Sequence, residues 1–196
     1  MNFKHQGFAL LGDFWVGIFN VCLVMLIWVG LFRLNNLLFS HLALTKNISW
    51  IFLPAAIRVF SVLVLQWPAV LGLFFGGLLT SDWYANESPV IAFTLAVLSS
   101  LGPWFAVKVC VRWLNLPEDL RGLTPLNLLL LAVVGAVCNV IPHNVYFYFS
   151  GLSTNFFGGL ITMLVGDLIG SLFVLYLGAF CLRLLSKQQA IRRPLR

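Results

Sequence analysis

Long apolar runs separated by short polar connectors dominate the chain, and the length of each run sets the reading more than any alternation within it. Six runs stand out, at about 14 to 32, 49 to 66, 68 to 83, 89 to 111, 125 to 149 and 156 to 182. A helix needs roughly 20 apolar residues to cross a bilayer. The pattern therefore predicts an all-α fold, a polytopic membrane helix bundle of about six transmembrane helices. The third run is short, since about 16 residues reach only about 24 Å at helical rise. It either crosses where the bilayer thins or pairs with the second run as a re-entrant hairpin. Trp50, Trp67, Trp83 and Trp113 fall near run ends, where an amphipathic ring prefers the headgroup region.

Two connectors carry helical signals of their own. In "RLNNLLFSHLALTKN" (33 to 47), Leu34, Leu37, Leu38 and Leu42 share one helical face and Asn35, Asn36 and Lys46 lie elsewhere, which predicts a helix resting on the membrane surface. In "NLPEDLRGLTPLN" (115 to 127), Pro117, Glu118 and Asp119 form a start signal, Gly122 a stop, and Thr124 with Pro125 a cap and first turn for the fifth run.

Composition agrees with a single integral membrane domain over residues 1–196 with a short basic tail, 186–196. The chain is 61% hydrophobic and 9% charged, which leaves no stretch for a separate soluble domain. Its net charge of +6 comes from residues flanking the apolar runs, so it orients the protein and excludes nucleic acid as a partner. With a cytoplasmic N-terminus, Lys4, Lys108, Arg112, Arg121, Arg183, Lys187, Arg192, Arg193 and Arg196 fall inside, against only Arg33 and Lys46 outside. Both termini are thus expected to be cytoplasmic, in a multi-pass protein of the cell membrane, a bacterial inner membrane by this reading. The N-terminal "MNFKHQGFALLGDF" lacks the short apolar core and small-residue cleavage site of a signal peptide, so the first run is read as an uncleaved span. Cys22, Cys110, Cys138 and Cys181 occupy four separate runs without metal-ligand spacing; they read as packing residues, and neither metal nor cofactor is expected.

Arg58 and Asp167 are the only charges placed well inside the predicted spans. A charge there is costly unless paired or wetted. Counted from the same side, they lie about 9 and about 11 residues in, at similar depth, roughly 14 to 17 Å, which makes them a buried ion pair or part of a ligand site. Gly72 with Gly76, and Gly166 with Gly170, form small-xxx-small faces suited to close helix packing. In "CNVIPHNVYFYF", Asn139, His143 and Asn144 gather around Pro142, which frees a carbonyl one turn earlier. With Tyr146, Phe147 and Tyr148 they are candidates to line a pocket. Pro54 and Pro103 are candidate kinks. No catalytic residue is assigned. "LVGDLIG" touches the GxGD pattern of intramembrane aspartyl proteases, but the second deep carboxylate of that chemistry is missing. Ser99 or Ser100 with His143 lacks a glycine-framed nucleophile motif. The protein is read as a non-enzyme.

"WIFLPAAIRVFSVLVLQWPAVLGLFFGGLL" (50 to 79) resembles the part of bacterial membrane-associated sensor domains in which a helix opening with Trp and a Pro-Ala step precedes a glycine-containing helix. "VGDLIGSLFVLYL" (165 to 177) is similar to their closing helix. Such domains stand before histidine kinases or diguanylate cyclases, so the resemblance implies signal input. The family has about eight spans and a cytoplasmic output domain, whereas this chain offers six runs and ends in "SKQQAIRRPLR". A short stand-alone version of this kind is expected to act through a separate kinase or cyclase. The alternative is the substrate-binding membrane subunit of an energy-coupling factor type importer, with other transporter subunits as partners; a structural partner in a membrane complex is a third class.

Overall fold

The computed structural model describes the backbone of residues 3–45, 48–81, 88–114 and 124–192, and the side chains of 13–45, 48–81, 88–114 and 124–177. Asp82, Trp83 and Glu87, the start and stop signals Pro117, Glu118, Asp119 and Gly122, and Arg193 and Arg196 lie outside the described residues.

Among the described residues six α-helices make the fold: α1 (Phe3–Phe39), α2 (Ala55–Leu65), α3 (Trp67–Thr80), α4 (Pro89–Leu114), α5 (Pro125–Phe149) and α6 (Phe156–Arg192). Between α1 and α2 come a 3-10 turn (Ser40–Leu42) and two short strands, β1 (Ala43–Thr45) and β2 (Ile48–Ser49), paired antiparallel. Four segments are long and apolar enough to cross a membrane: Asp13–Leu42, Pro89–Trp113, Pro125–Phe149 and Phe156–Leu177. The chain is a helical membrane protein, with four such helices and two shorter apolar ones, α2 and α3, among the described residues. At 1.5 Å per residue, α2 and α3 reach only about 16 and about 21 Å, short of the roughly 30 Å hydrocarbon core.

The two short helices turn on Gln66, the one non-glycine residue with positive φ among those described (φ 56°, ψ −129°). Trp67 and Pro68 then open α3, with proline where a missing N–H does no harm. α2 is the centre of the bundle and touches all five other helices; α3 lies between α1 and α4, and α5 between α4 and α6. Central placement explains why α2 is apolar nearly all round, with Ala55, Ala56, Val59, Val62 and Leu63 buried. Val59, Val62 and Leu63 join Val24, Trp28, Leu73, Val107 and Leu131 in the main core. The long helices turn their remaining apolar side chains outward, as with Phe14, Trp15, Phe105 and Phe157.

The expected surface helix over 33–47 is not formed. α1 continues to Phe39 and the chain then becomes extended. Leu34, Leu37 and Leu38 are exposed on the outer surface of α1, while Asn35 is buried at 3% exposure. Of the polar positions in the pattern, Asn35 turns inward, where its side-chain oxygen accepts from the Leu53 N–H, and Asn36 stays exposed. The start of α5 follows its sequence signals: Thr124 caps the helix by accepting the Asn127 N–H at 3.2 Å, and Pro125 follows. Pro103 and Pro142 lie inside continuous helices, whereas Pro54 stands just before α2 and marks a true break.

Gly72 and Gly76 put α3 directly against α1. A methyl group on Gly72 would lie 2.7 Å from both the Val21 carbonyl oxygen and Val24 Cβ, and one on Gly76 2.8 Å from the Trp28 ring. Gly17 and Gly30 have nothing within 4 Å of the same position. Gly72→Ala is therefore expected to cost about 1–3 kcal/mol, and Gly30→Ala to be neutral or slightly stabilising. Equilibrium unfolding in mixed micelles, followed by tryptophan fluorescence, checks the contrast.

Candidate functional site

The site is built on an irregular, non-helical stretch, residues 49–54, that leaves β2 and turns into α2. Backbone buried away from water must have its polar groups satisfied, and three N–H groups of this stretch are bonded to other parts of the chain. Trp50 N–H bonds the Leu42 carbonyl at 3.2 Å, Phe52 N–H the Gly166 carbonyl at 3.1 Å, and Leu53 N–H the Asn35 side-chain oxygen at 2.8 Å. Pro54, which has no N–H to satisfy, closes the stretch before α2 begins.

Gly166 and Gly170 make the contact with α6 possible. A side chain on Gly166 would collide with the Ser49 carbonyl, and one on Gly170 with that of Phe52. The sequence reading expected this pair to receive another helix; it receives the non-helical backbone of residues 49–53 instead. With this segment seated, α2 starts at a defined height and Arg58, its fourth residue, is brought against Asp167, which follows Gly166 directly.

Arg58 Nη1 donates to Asp167 Oδ2 at 3.0 Å, with both side chains buried. Asn139 Nδ2 donates to the same oxygen at 2.8 Å. The guanidinium packs against both Phe52 and Trp28, 4.8 and 5.2 Å from the ring centroids, and the two rings meet edge to face 6.1 Å apart, so both adjoin the same side of the cation. Aromatic contact of this kind attracts a cation and restrains it. Three buried polar atoms of this cluster have no hydrogen-bond partner: Arg58 Nε, Asn139 Oδ1 and Asp167 Oδ1. Fully buried groups rarely go unsatisfied, so these three mark the cluster as unusual.

Above the pair lies a cavity of about 280 Å³, at the end of the bundle where α1 finishes, α3 passes to α4 and α5 to α6. Arg58 lies on its wall with Trp28, Phe52, Ser99 and His143, and Arg33 reaches it from the mouth. Of the three candidate lining residues on α5, the structure puts only His143 on this wall. Asn139, one turn further from that end, bonds Asp167, whereas Asn144 points to α6, its amide donating to the Val140 carbonyl at 2.9 Å and lying 3.6 Å from the Met163 sulfur. The reason is helical geometry: residues four apart share a face and residues one apart do not. Phe147, one turn beyond His143, is on the wall as well, while Tyr146 packs in a side core with Ile48 and Met163.

His143 is held at both ring nitrogens. Nδ1 lies 2.7 Å from the Asn139 carbonyl, which can only accept, so Nδ1 carries the proton and Nε2 accepts from the Ser99 hydroxyl at 3.2 Å. Asn35, Trp28 and Phe52 are site residues that sequence reasoning did not single out. An asparagine on the side opposite the leucine face was the one available signal for Asn35; two aromatics in apolar runs gave none.

Among the described residues, no group of three or more His, Cys, Asp or Glu side chains is placed to hold a metal ion. No family model, curated protein or solved structure matches the chain.

Proposed function

We propose that this protein binds a small ligand inside its membrane bundle and passes the occupied state to a partner protein, as a sensor-like input device. The observation that carries the reading is the cavity that runs from one end of the bundle to a buried, incompletely bonded arginine. Pockets for drug-sized ligands occupy about 300–1,000 Å³, so this smaller one suits a compact molecule. By the Lys/Arg bias its mouth faces outward and both termini face the cytoplasm, in a multi-pass protein of a bacterial inner membrane. Binding is favoured over catalysis even though Ser99 and His143 have the hydrogen-bond order of a nucleophile and base. Both sit within continuous helices whose backbone N–H groups are engaged, which leaves no cradle for an oxyanion.

One observation favours the importer reading as a second. Transporter sites are often built where a membrane helix is interrupted, and the 49–54 stretch followed by two short helices is such an interruption.

Single cysteines in a cysteine-free background test the cavity. Thr80→Cys and Ser99→Cys are expected to react with a small polar thiol reagent added from outside, and Asn139→Cys and Asn144→Cys to resist it. Equal resistance at all four in folded protein would remove the basis of the reading. Native mass spectrometry of the solubilised complex then separates the alternatives: a copurifying kinase or cyclase supports sensing, and a copurifying transporter module supports import.

A further inference from the structure

We infer that the ligand of this cavity is a small organic anion, its carboxylate or phosphate group received at Arg58 and its apolar part held by the aromatic wall. The inference rests on the cavity being a ligand site, and adds the chemical class of the ligand.

Charge is the first reason. The described residues lining the cavity include two arginines, Arg33 and Arg58, and neither aspartate nor glutamate. Asp167 lies behind the guanidinium and is not part of the wall, so an incoming anion does not meet it directly. The field inside a low-dielectric cleft lined by one sign of charge favours the opposite sign.

Hydrogen bonding is the second. Asp167 takes one N–H of Arg58 through Nη1, not a side-on pair, and Nε–H has no acceptor. A guanidinium offers a planar fork that matches the two oxygens of a carboxylate or phosphate. The chain thus holds a buried donor group only partly used, on the wall of a cavity lined by both aromatic and neutral polar side chains. Contact with the adjoining rings of Trp28 and Phe52, together with the bond to Asp167, holds the guanidinium in place before any ligand arrives, which lowers the ordering cost of binding. Those rings, with Phe32 and Phe147 on the same wall, offer apolar surface to the rest of the molecule.

The test uses the full chain in phosphatidylcholine nanodiscs and three probes: benzoate, its neutral isostere benzamide, and inorganic phosphate. Calorimetry is expected to find benzoate bound at least about tenfold more tightly than benzamide, as a charge-assisted hydrogen bond requires. Arg58→Lys keeps a cation for Asp167 but loses the fork, and is expected to weaken benzoate by roughly tenfold or more while leaving benzamide unchanged. Arg33 is exposed, so Arg33→Gln should fold normally; it should weaken benzoate by a smaller factor and flatten the salt dependence. A second arm replaces part of the neutral lipid with phosphatidylglycerol. Displacement of benzoate or phosphate by that lipid supports the anion site and identifies a lipid headgroup as its source; undiminished binding supports the site and identifies a soluble anion. Equal affinity for benzoate and benzamide overturns the anion assignment and leaves the ligand site standing. Failure of all three probes to bind, with Thr80→Cys and Ser99→Cys unreactive, overturns both.

Discussion

Arg58→Met is expected to cost about 3–5 kcal/mol, the loss that follows when one member of a buried ion pair is removed and its partner is left charged and unpaired. Asp167→Leu should cost a similar amount, because Arg58 then loses its only hydrogen-bonding partner among the described residues. The double replacement should recover most of either loss, since two apolar side chains of similar volume suit a dry interior. Recovery should stop short of wild type: Asn139 Nδ2 donates to the same Asp167 oxygen and is orphaned in the double variant, a residual of about 1–3 kcal/mol. Adding Asn139→Leu should remove that residual. A double-mutant cycle on unfolding free energy in mixed micelles measures the coupling. Simple additivity of the two single losses would show that the charges do not interact. If stability returns in the double variant but benzoate binding does not, the arginine serves the cavity as well as the fold.

Gly170→Ala is the second large effect. Its new methyl group would fall on the Phe52 carbonyl, backbone against backbone, where no side-chain rotation relieves the clash. Gly166→Ala meets the Ser49 carbonyl in the same way and also displaces the Phe52 N–H bond to the Gly166 carbonyl. Either variant should lose about 3 kcal/mol or more, at the upper end of overpacking costs, against little change for Gly30→Ala. The consequence reaches the site. The 49–54 stretch sets the height of α2, so shifting it should pull Arg58 from Asp167 and reduce the coupling energy measured in a Gly170→Ala background. A clean loss of stability with the coupling intact would show that the segment and the ion pair are independent.

Both effects trace to a contact that one sequence displays unequally. The two charges were legible, because arginine and aspartate in apolar runs are costly in lipid and their counted depths agreed; the structure brings them to 3.0 Å. Their third partner was visible only as a polar residue: Asn139 was placed with His143 and Asn144 as pocket lining, and it is Asp167 that claims its amide. The glycine pairs were legible as sites of close approach, but glycine records only that something comes near. For Gly72 and Gly76 that is helix α1; for Gly166 and Gly170 it is the non-helical segment between β2 and α2.

By itself the sequence determined the membrane class, the four long helices to within a few residues at most ends, the capped start of α5, and which two charges would need a partner in the interior. These depend on local quantities: apolar length against bilayer thickness, capping chemistry, and the cost of a charge in hydrocarbon. Tertiary structure alone decided that the run at 49 to 66 begins as non-helical backbone, that Asn35 turns inward to hold Leu53, and that a cavity opens above Arg58. An apolar run reads the same whether it becomes helix or irregular backbone, since lipid and protein interior are equally apolar. The conformation is settled by where buried backbone N–H groups find acceptors, here Gly166 on α6, Asn35 on α1 and Leu42 in the turn before β1, none of which the apolar run itself contains.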